Sequence, residues 1–256
     1  MAYYDDEANI IKDFYDCKDE EIYLLNNNAE KLLQGIRDKE SWCHSNRKSD
    51  PPPDFYSDRY KLMMEVMRVD DHAFMNGKGK IINPHIKKEN ETYRDIRNFL
   101  KKHGVSFSGD IIVNTLTDLP TEEDHNYDKY VANFKRVIEK HNSSYDLYAN
   151  NHKGYKLVYF ILDESSPYMQ VSNLSDKVAA VGKAVKARLH LPFLDKDFID
   201  ILKSSKADFF VWYMPYKHFN SKERVELPQA IIYSKDDWKK ITVRKYNHKF
   251  MSSTEL

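Results

Sequence analysis

Two acids stand where a pair of strands could present them together. Asp54 lies in Ser49-Asp50-Pro51-Pro52-Pro53-Asp54-Phe55-Tyr56, and Glu65 lies in Lys61-Leu62-Met63-Met64-Glu65-Val66-Met67-Arg68-Val69-Asp70-Asp71-His72. Phosphodiester cleavage needs an activated water and a way to neutralise charge on the scissile phosphate, and a divalent ion held by a few carboxylates supplies both. Adjacent strands run only about 4.8 Å apart, so an aspartate just ahead of one strand and a glutamate within the next can converge on one Mg2+ or Mn2+. The expected chemistry is metal-dependent hydrolysis of nucleic acid.

The run Pro53-Asp54-Phe55-Tyr56 leading into a hairpin, followed by Met64-Glu65-Val66, resembles the PD-(D/E)XK nuclease superfamily, especially the branch related to very-short-patch repair endonucleases. The likeness covers roughly residues 21–75. It implies an α/β fold with a mixed central sheet flanked by helices, a restriction-endonuclease-like core. It also implies that Asp54 and Glu65 bind the metal and that an acid on the preceding helix, Glu30, completes the site. The family pattern has a lysine two residues after the glutamate, and this chain has Met67 there. Asp70, Asp71 and His72 are the second candidates for ligands or a base. Lys78 or Lys80, in Gly77-Lys78-Gly79-Lys80, is the candidate to restore the charge. The alternative is a catalytically inactive protein of nuclease fold that binds a protein partner or itself.

These residues need elements to hold them. Apolar residues Ile10, Ile11, Phe14 and Tyr15, then Ala29, Leu32, Leu33 and Ile36, recur at helical spacing with a break near Asn26-Asn27-Asn28. Residues 41–53, with three prolines, form a loop. Phe55–Tyr60 and Lys61–Val69 form a hairpin turning near Ser57-Asp58. A helix is expected over 91–103 with Gly104 as its stop, a strand over Asp110–Leu116, and a capping box at Thr121-Glu122-Glu123-Asp124. Tyr127, Tyr130, Val131, Phe134, Val137, Ile138 and His141 then define an amphipathic helix. Tyr155–Asp163 reads as a strand buried on both faces in mid-sheet. Helices are expected over Ser175–Leu189 and Asp195–Lys203, and a buried strand over Ala207–Met214. Ala230–Tyr233 and Ile241–Tyr246 should close the sheet as a terminal pair. One domain over residues 1–256 is expected, with 142–153 the place for any boundary.

Forty Lys and Arg balance 40 Asp and Glu, so no global field draws the 256-residue chain to DNA or an anionic membrane. Local charge has to do so. Residues 78–102 carry eight bases against three acids directly after the acidic motif, a face able to grip phosphates. Lys239–Lys249 interleaves bases with Tyr246 and His248, a composition suited to backbone contacts and base stacking. Cys17 and Cys43 are expected as free thiols. Cys43-His44 with His72 or His85 shows no paired zinc-type spacing. No run approaches the roughly twenty apolar residues that span a bilayer, and the acidic start of the chain is unlike a signal peptide, so a cytoplasmic location is expected.

Overall fold

In the computed structural model, residues 7–45, 53–106, 125–178, 186–217 and 227–254 are described. The expected strand over Asp110–Leu116, the capping box at 121–124, and Val181 and Val185 lie outside them. A central sheet has β1 (Ile22–Leu24), β2 (Cys43–His44), β3 (Phe55–Ser57), β4 (Leu62–Val69), β7 (Lys156–Asp163), β10 (Phe209–Tyr213) and β11 (Ala230–Ser234). Its spatial order is β1-β11-β10-β7-β4-β3-β2. Strands β4, β7 and β10 run parallel, β3 is antiparallel to β4, β2 to β3 and β11 to β10, and β1 is parallel to β11. Two smaller sheets join β5 (Phe74–Met75) with β6 (Ile81–Ile82), and β12 (Met251–Ser253) with β8 (Tyr168–Val171) and β9 (Ala187–Leu189).

The period of two along each strand separates two cores. Val158, Phe160 and Leu162 of β7 join Met64 and Val66 of β4 under α1 (Glu7–Tyr15) and α2 (Asn27–Arg37). Leu157, Tyr159 and Ile161 join Met63 and Met67 under α4 (Tyr127–Ser143) and α6 (Lys196–Lys203). Buried on both faces, β7 sits in mid-sheet as its apolar run predicts. Between β6 and α4 runs α3 (Pro84–Lys102), which Gly104 ends at φ +64°, a conformation that favours glycine. The polar stretch 142–153 is where α4 gives way to α5 (Tyr145–Asn151).

The two helical stripes are α1 and α2, and the break between them holds β1, with Asn26 capping α2 by accepting from Asn28 N (2.7 Å) and Ala29 N (2.9 Å). Two expectations are corrected. Leu174–Val178 is a short 3-10 turn, and Ala187–Leu189 is strand, because pairing with Met169–Val171 outweighs local helical spacing. Ile241–Tyr246 does not pair with β11. The place beside β11 belongs to β1, and Arg244 makes a single bridge to Asp195.

One buried pair sets a pH dependence. His190, 3% exposed, puts Nε2 2.7 Å from Asp195 Oδ2, and Asp195 also caps α6 through Asp197 N (3.1 Å). Burial pushes the His190 imidazole below its ordinary value although Asp195 opposes the shift. The unfolded chain then binds a proton that the folded chain resists, so this contribution is complete above about pH 6.5 and is lost as pH falls from there. Urea midpoints measured from pH 8 to pH 5 should fall less steeply for His190→Asn than for the wild type.

Candidate functional site

The hairpin places the two acids opposite each other. Phe55 pairs with Met64 across the antiparallel β3–β4 ladder, so the same register continued by one residue sets Asp54 across from Glu65. Directly opposed residues share a face and keep their Cβ atoms about 5 Å apart. Both side chains are buried, at 4% exposure each. Asp54 Oδ2 accepts from Val66 N at 2.9 Å, which fixes the carboxylate against the next strand. Glu65 Oε2 lies 2.9 Å from His141 Nδ1, one turn from the end of α4, and the Tyr148 hydroxyl of α5 reaches the same carboxyl. Burial first, and then the negative charge of Asp54, push the Glu65 carboxyl above its ordinary value, while His141 pulls the other way.

Two buried, mutually repelling carboxylates are a donor set that suits a hard divalent cation. Asp54 and Glu65 are the residues that would hold it. The His141 ring touches Glu65 through Nδ1 rather than Nε2. Met67 lies on the same strand face as Glu65 and is 2% exposed among the apolar residues under α4 and α6. The position at which the resemblance expects a lysine is therefore filled by core.

The other sequence candidates do not meet at this point. Glu30 is exposed on α2, which packs against the opposite face of the sheet. Asp70 holds the turn after β4, accepting from His72 N (3.1 Å), Ala73 N (2.9 Å) and Asn83 Nδ2 (2.9 Å). Lys78 is exposed in the turn joining β5 to β6, where its N–H donates to Asn76 Oδ1 at 3.0 Å; the groups acting most on Glu65 are His141, Asp54 and Tyr148. Asp71 is fully buried and His72 packs beside it, past the carboxyl end of β4. Tyr246 is 2% exposed and its hydroxyl accepts from Leu191 N at 3.1 Å, so it is not free to stack on a base. His248 is bound between Asp128 and Asp197 at 2.6 and 2.8 Å. Cys17 and Cys43 are both free thiols.

The chain matches no family model, no curated protein and no solved structure. The geometry of its own residues therefore carries the functional argument. No described helix is long and apolar enough to cross a membrane.

The residue that sequence reading missed is His141. It appears in the sequence only as one position of an amphipathic stripe, and its partner Glu65 is 76 positions away. The helical period predicts which face of α4 His141 shares, and the strand period predicts which face Glu65 shares. The missing link is that both faces meet in one layer.

Proposed function

We propose that this chain is a metal-dependent phosphodiesterase of nuclease type, with a restriction-endonuclease-like core, acting on nucleic acid through Mg2+ or Mn2+ at Asp54 and Glu65. The observation that carries the reading is the register that opposes these two carboxylates on one face of a hairpin. The ion, when bound, supplies a polarised water and charge neutralisation at the phosphate. Glu65 anchors Nδ1 of His141 and orients the ring, and His141 takes the place of the motif lysine by accepting the water's proton at Nε2. Asp54, fixed by Val66 N, holds its carboxylate rigid during turnover.

The nucleic-acid partner is supported by α3. Lys87, Arg94, Arg97, Lys101 and Lys102 are exposed along it, a row of cations spaced to follow a phosphate backbone. Changing Arg94, Arg97, Lys101 and Lys102 together to glutamine should reduce the slope of log affinity against log salt by about 0.9 for each phosphate of duplex DNA that is no longer neutralised. Fluorescence anisotropy across a salt series measures it; an unchanged slope removes α3 from the interface.

The deciding experiment incubates the chain with supercoiled plasmid and with single-stranded DNA and RNA, in Mg2+ or Mn2+, with a chelator control and with Asp54→Asn. Metal-dependent cleavage lost in a folded Asp54→Asn protein supports the reading. Absence of cleavage on every substrate, together with a melting temperature that neither metal raises, would leave the inactive interaction protein, since a ligand of the native state must stabilise it.

A further inference from the structure

Past the carboxyl end of β4 a second cluster gathers residues from three separate segments. Asp71, from the turn after β4, is 0% exposed. Its Oδ2 accepts from Ser166 N (3.2 Å), Ser166 Oγ (2.7 Å) and the Tyr168 hydroxyl (2.6 Å), all contributed by the connection after β7 and by β8. Its other oxygen, Oδ1, is buried with no hydrogen-bond partner. His72 brings Nε2 to 3.6 Å from Oδ1, and His125, just ahead of α4, brings Nδ1 to 3.3 Å from Oδ2. The ligand atoms of the three residues all lie within 4.8 Å of one another.

A buried carboxylate oxygen left without a donor costs about 1–3 kcal/mol or more, and a 3.6 Å approach is too long for a hydrogen bond. That separation is close to what one ion requires: two ligand atoms about 2.1 Å from a tetrahedral centre stand about 3.4 Å apart. Two imidazoles and one carboxylate suit a first-row transition ion, whereas Mg2+ and Ca2+ favour oxygen alone. Ser166 and Tyr168 hold the carboxylate in one orientation through Oδ2, the oxygen that His125 also contacts, as the partners of metal-binding groups do. The location fits as well, because β4 and β7 run parallel and ligands in α/β sheets collect outside the carboxyl ends of such strands. The His85 ring of α3 stacks on His72 at 4.6 Å, and His85 Nδ1 lies 3.3 Å from Glu89 Oε1, so the basic helix is attached to this cluster at its first turns.

We propose that Asp71, His72 and His125 bind a divalent first-row transition ion of the zinc class, at a site separate from Asp54 and Glu65. Glu65 and Asp71 are six residues apart on an extended run, up to about 20 Å. Three protein ligands leave one position for water or an incoming group, and the ion would tie the end of β4 to the start of α4 and position α3.

The test uses the full chain, stripped with a chelator, desalted and titrated with ZnCl2 by calorimetry, alongside His72→Gln, His125→Gln and Glu65→Gln. One equivalent of Zn2+ should bind to the wild type and to Glu65→Gln and raise their melting temperatures by several degrees at saturating metal, with binding weakened at least 100-fold in both histidine variants. Cobalt loading should give the visible absorption of a tetrahedral site in the wild type, which keeps the test decisive if a histidine variant does not fold. The proposal is overturned by absence of saturable zinc binding, by unweakened binding in folded His72→Gln and His125→Gln, or by loss of binding in Glu65→Gln, which would put the ion at the hairpin instead. Zinc binding without nucleic-acid cleavage would leave this site standing while the nuclease reading failed.

Discussion

Glu65→Gln should lower Mg2+- or Mn2+-dependent cleavage on the order of 10³-fold, because the several kcal/mol of charge stabilisation that a bound ion provides is forfeited with its ligand. The same change should leave the fold at least as stable as the wild type at neutral pH. Glutamine keeps the volume and can still accept from His141 Nδ1, but it removes a buried charge that faces Asp54. The sign of the pH dependence follows from the raised carboxyl. A folded state that holds its proton more tightly than the unfolded chain gains stability at low pH and gives that gain up as pH rises through the folded value. Glutamine does not titrate, so the stability difference in favour of Glu65→Gln should widen upward from about pH 4.3. Initial cleavage rates and urea midpoints at pH 5 and pH 8 measure both effects. Activity within a few-fold of the wild type would remove Glu65 from the reaction. Activity and stability lost together would instead make it a structural residue.

The parts of this fold legible in the sequence are those whose information is local. Leu157 to Leu162 are six apolar or aromatic residues in a row, and a strand buried on both faces needs that composition and little else. Asp54 and Glu65 were legible because a short hairpin converts a fixed sequence separation into a spatial register. Lys196–Lys203 was legible from its apolar stripe, and Asp195 caps it through Asp197 N at 3.1 Å. Strand β1 was not legible. Its three residues become a strand only because β11, some 200 positions later, offers an open edge. The assignment of Ala187–Leu189 failed for the same reason, since β8 decides its conformation.

The site was legible to the same extent and no further. Asp70, Asp71 and His72 are adjacent in sequence yet do different work. Asp70 turns back to cap its own loop, while Asp71 and His72 point to partners far along the chain. Glu30 sits at a helical position that sequence alone cannot assign to one side of a sheet or the other, and α2 packs on the side away from Glu65. His125 is 53 residues beyond His72, so no short ligand spacing announces the Asp71–His72–His125 cluster.

The largest loss of stability should come from a pair that takes no part in either proposed site. Lys217, at the carboxyl end of β10, is 3% exposed and donates to Asp163 Oδ2 at 2.8 Å, to Ser165 Oγ at 2.6 Å and to the Tyr130 hydroxyl at 3.4 Å. Asp163, at the end of β7 and 0% exposed, also accepts from Trp212 Nε1 at 2.9 Å and from the hydroxyls of Tyr130 and Ser165. Lys217→Met keeps most of the side-chain volume but strands a carboxylate in the core, and breaking such a pair from one side costs about 3–5 kcal/mol. The four neutral donors that remain on Asp163, the Ser165 N–H among them, put the expected loss near the lower end, about 3 kcal/mol, or roughly 10 °C in melting temperature for a chain of this size. Asp163→Asn combined with Lys217→Met removes both charges; the amide oxygen can still accept from Trp212 Nε1 and the Tyr130 hydroxyl, while the amide NH2 takes the place of the oxygen that faced Ser165 and can donate to its Oγ. The double variant should therefore be more stable than Lys217→Met alone by about 1 kcal/mol or more, a coupling that equilibrium urea unfolding of the four proteins resolves. If the two single losses simply add, the ammonium and the carboxylate do not compensate each other, and the rigidity at the ends of β7 and β10 has to come from Trp212, Phe198 and the aromatic layer around them.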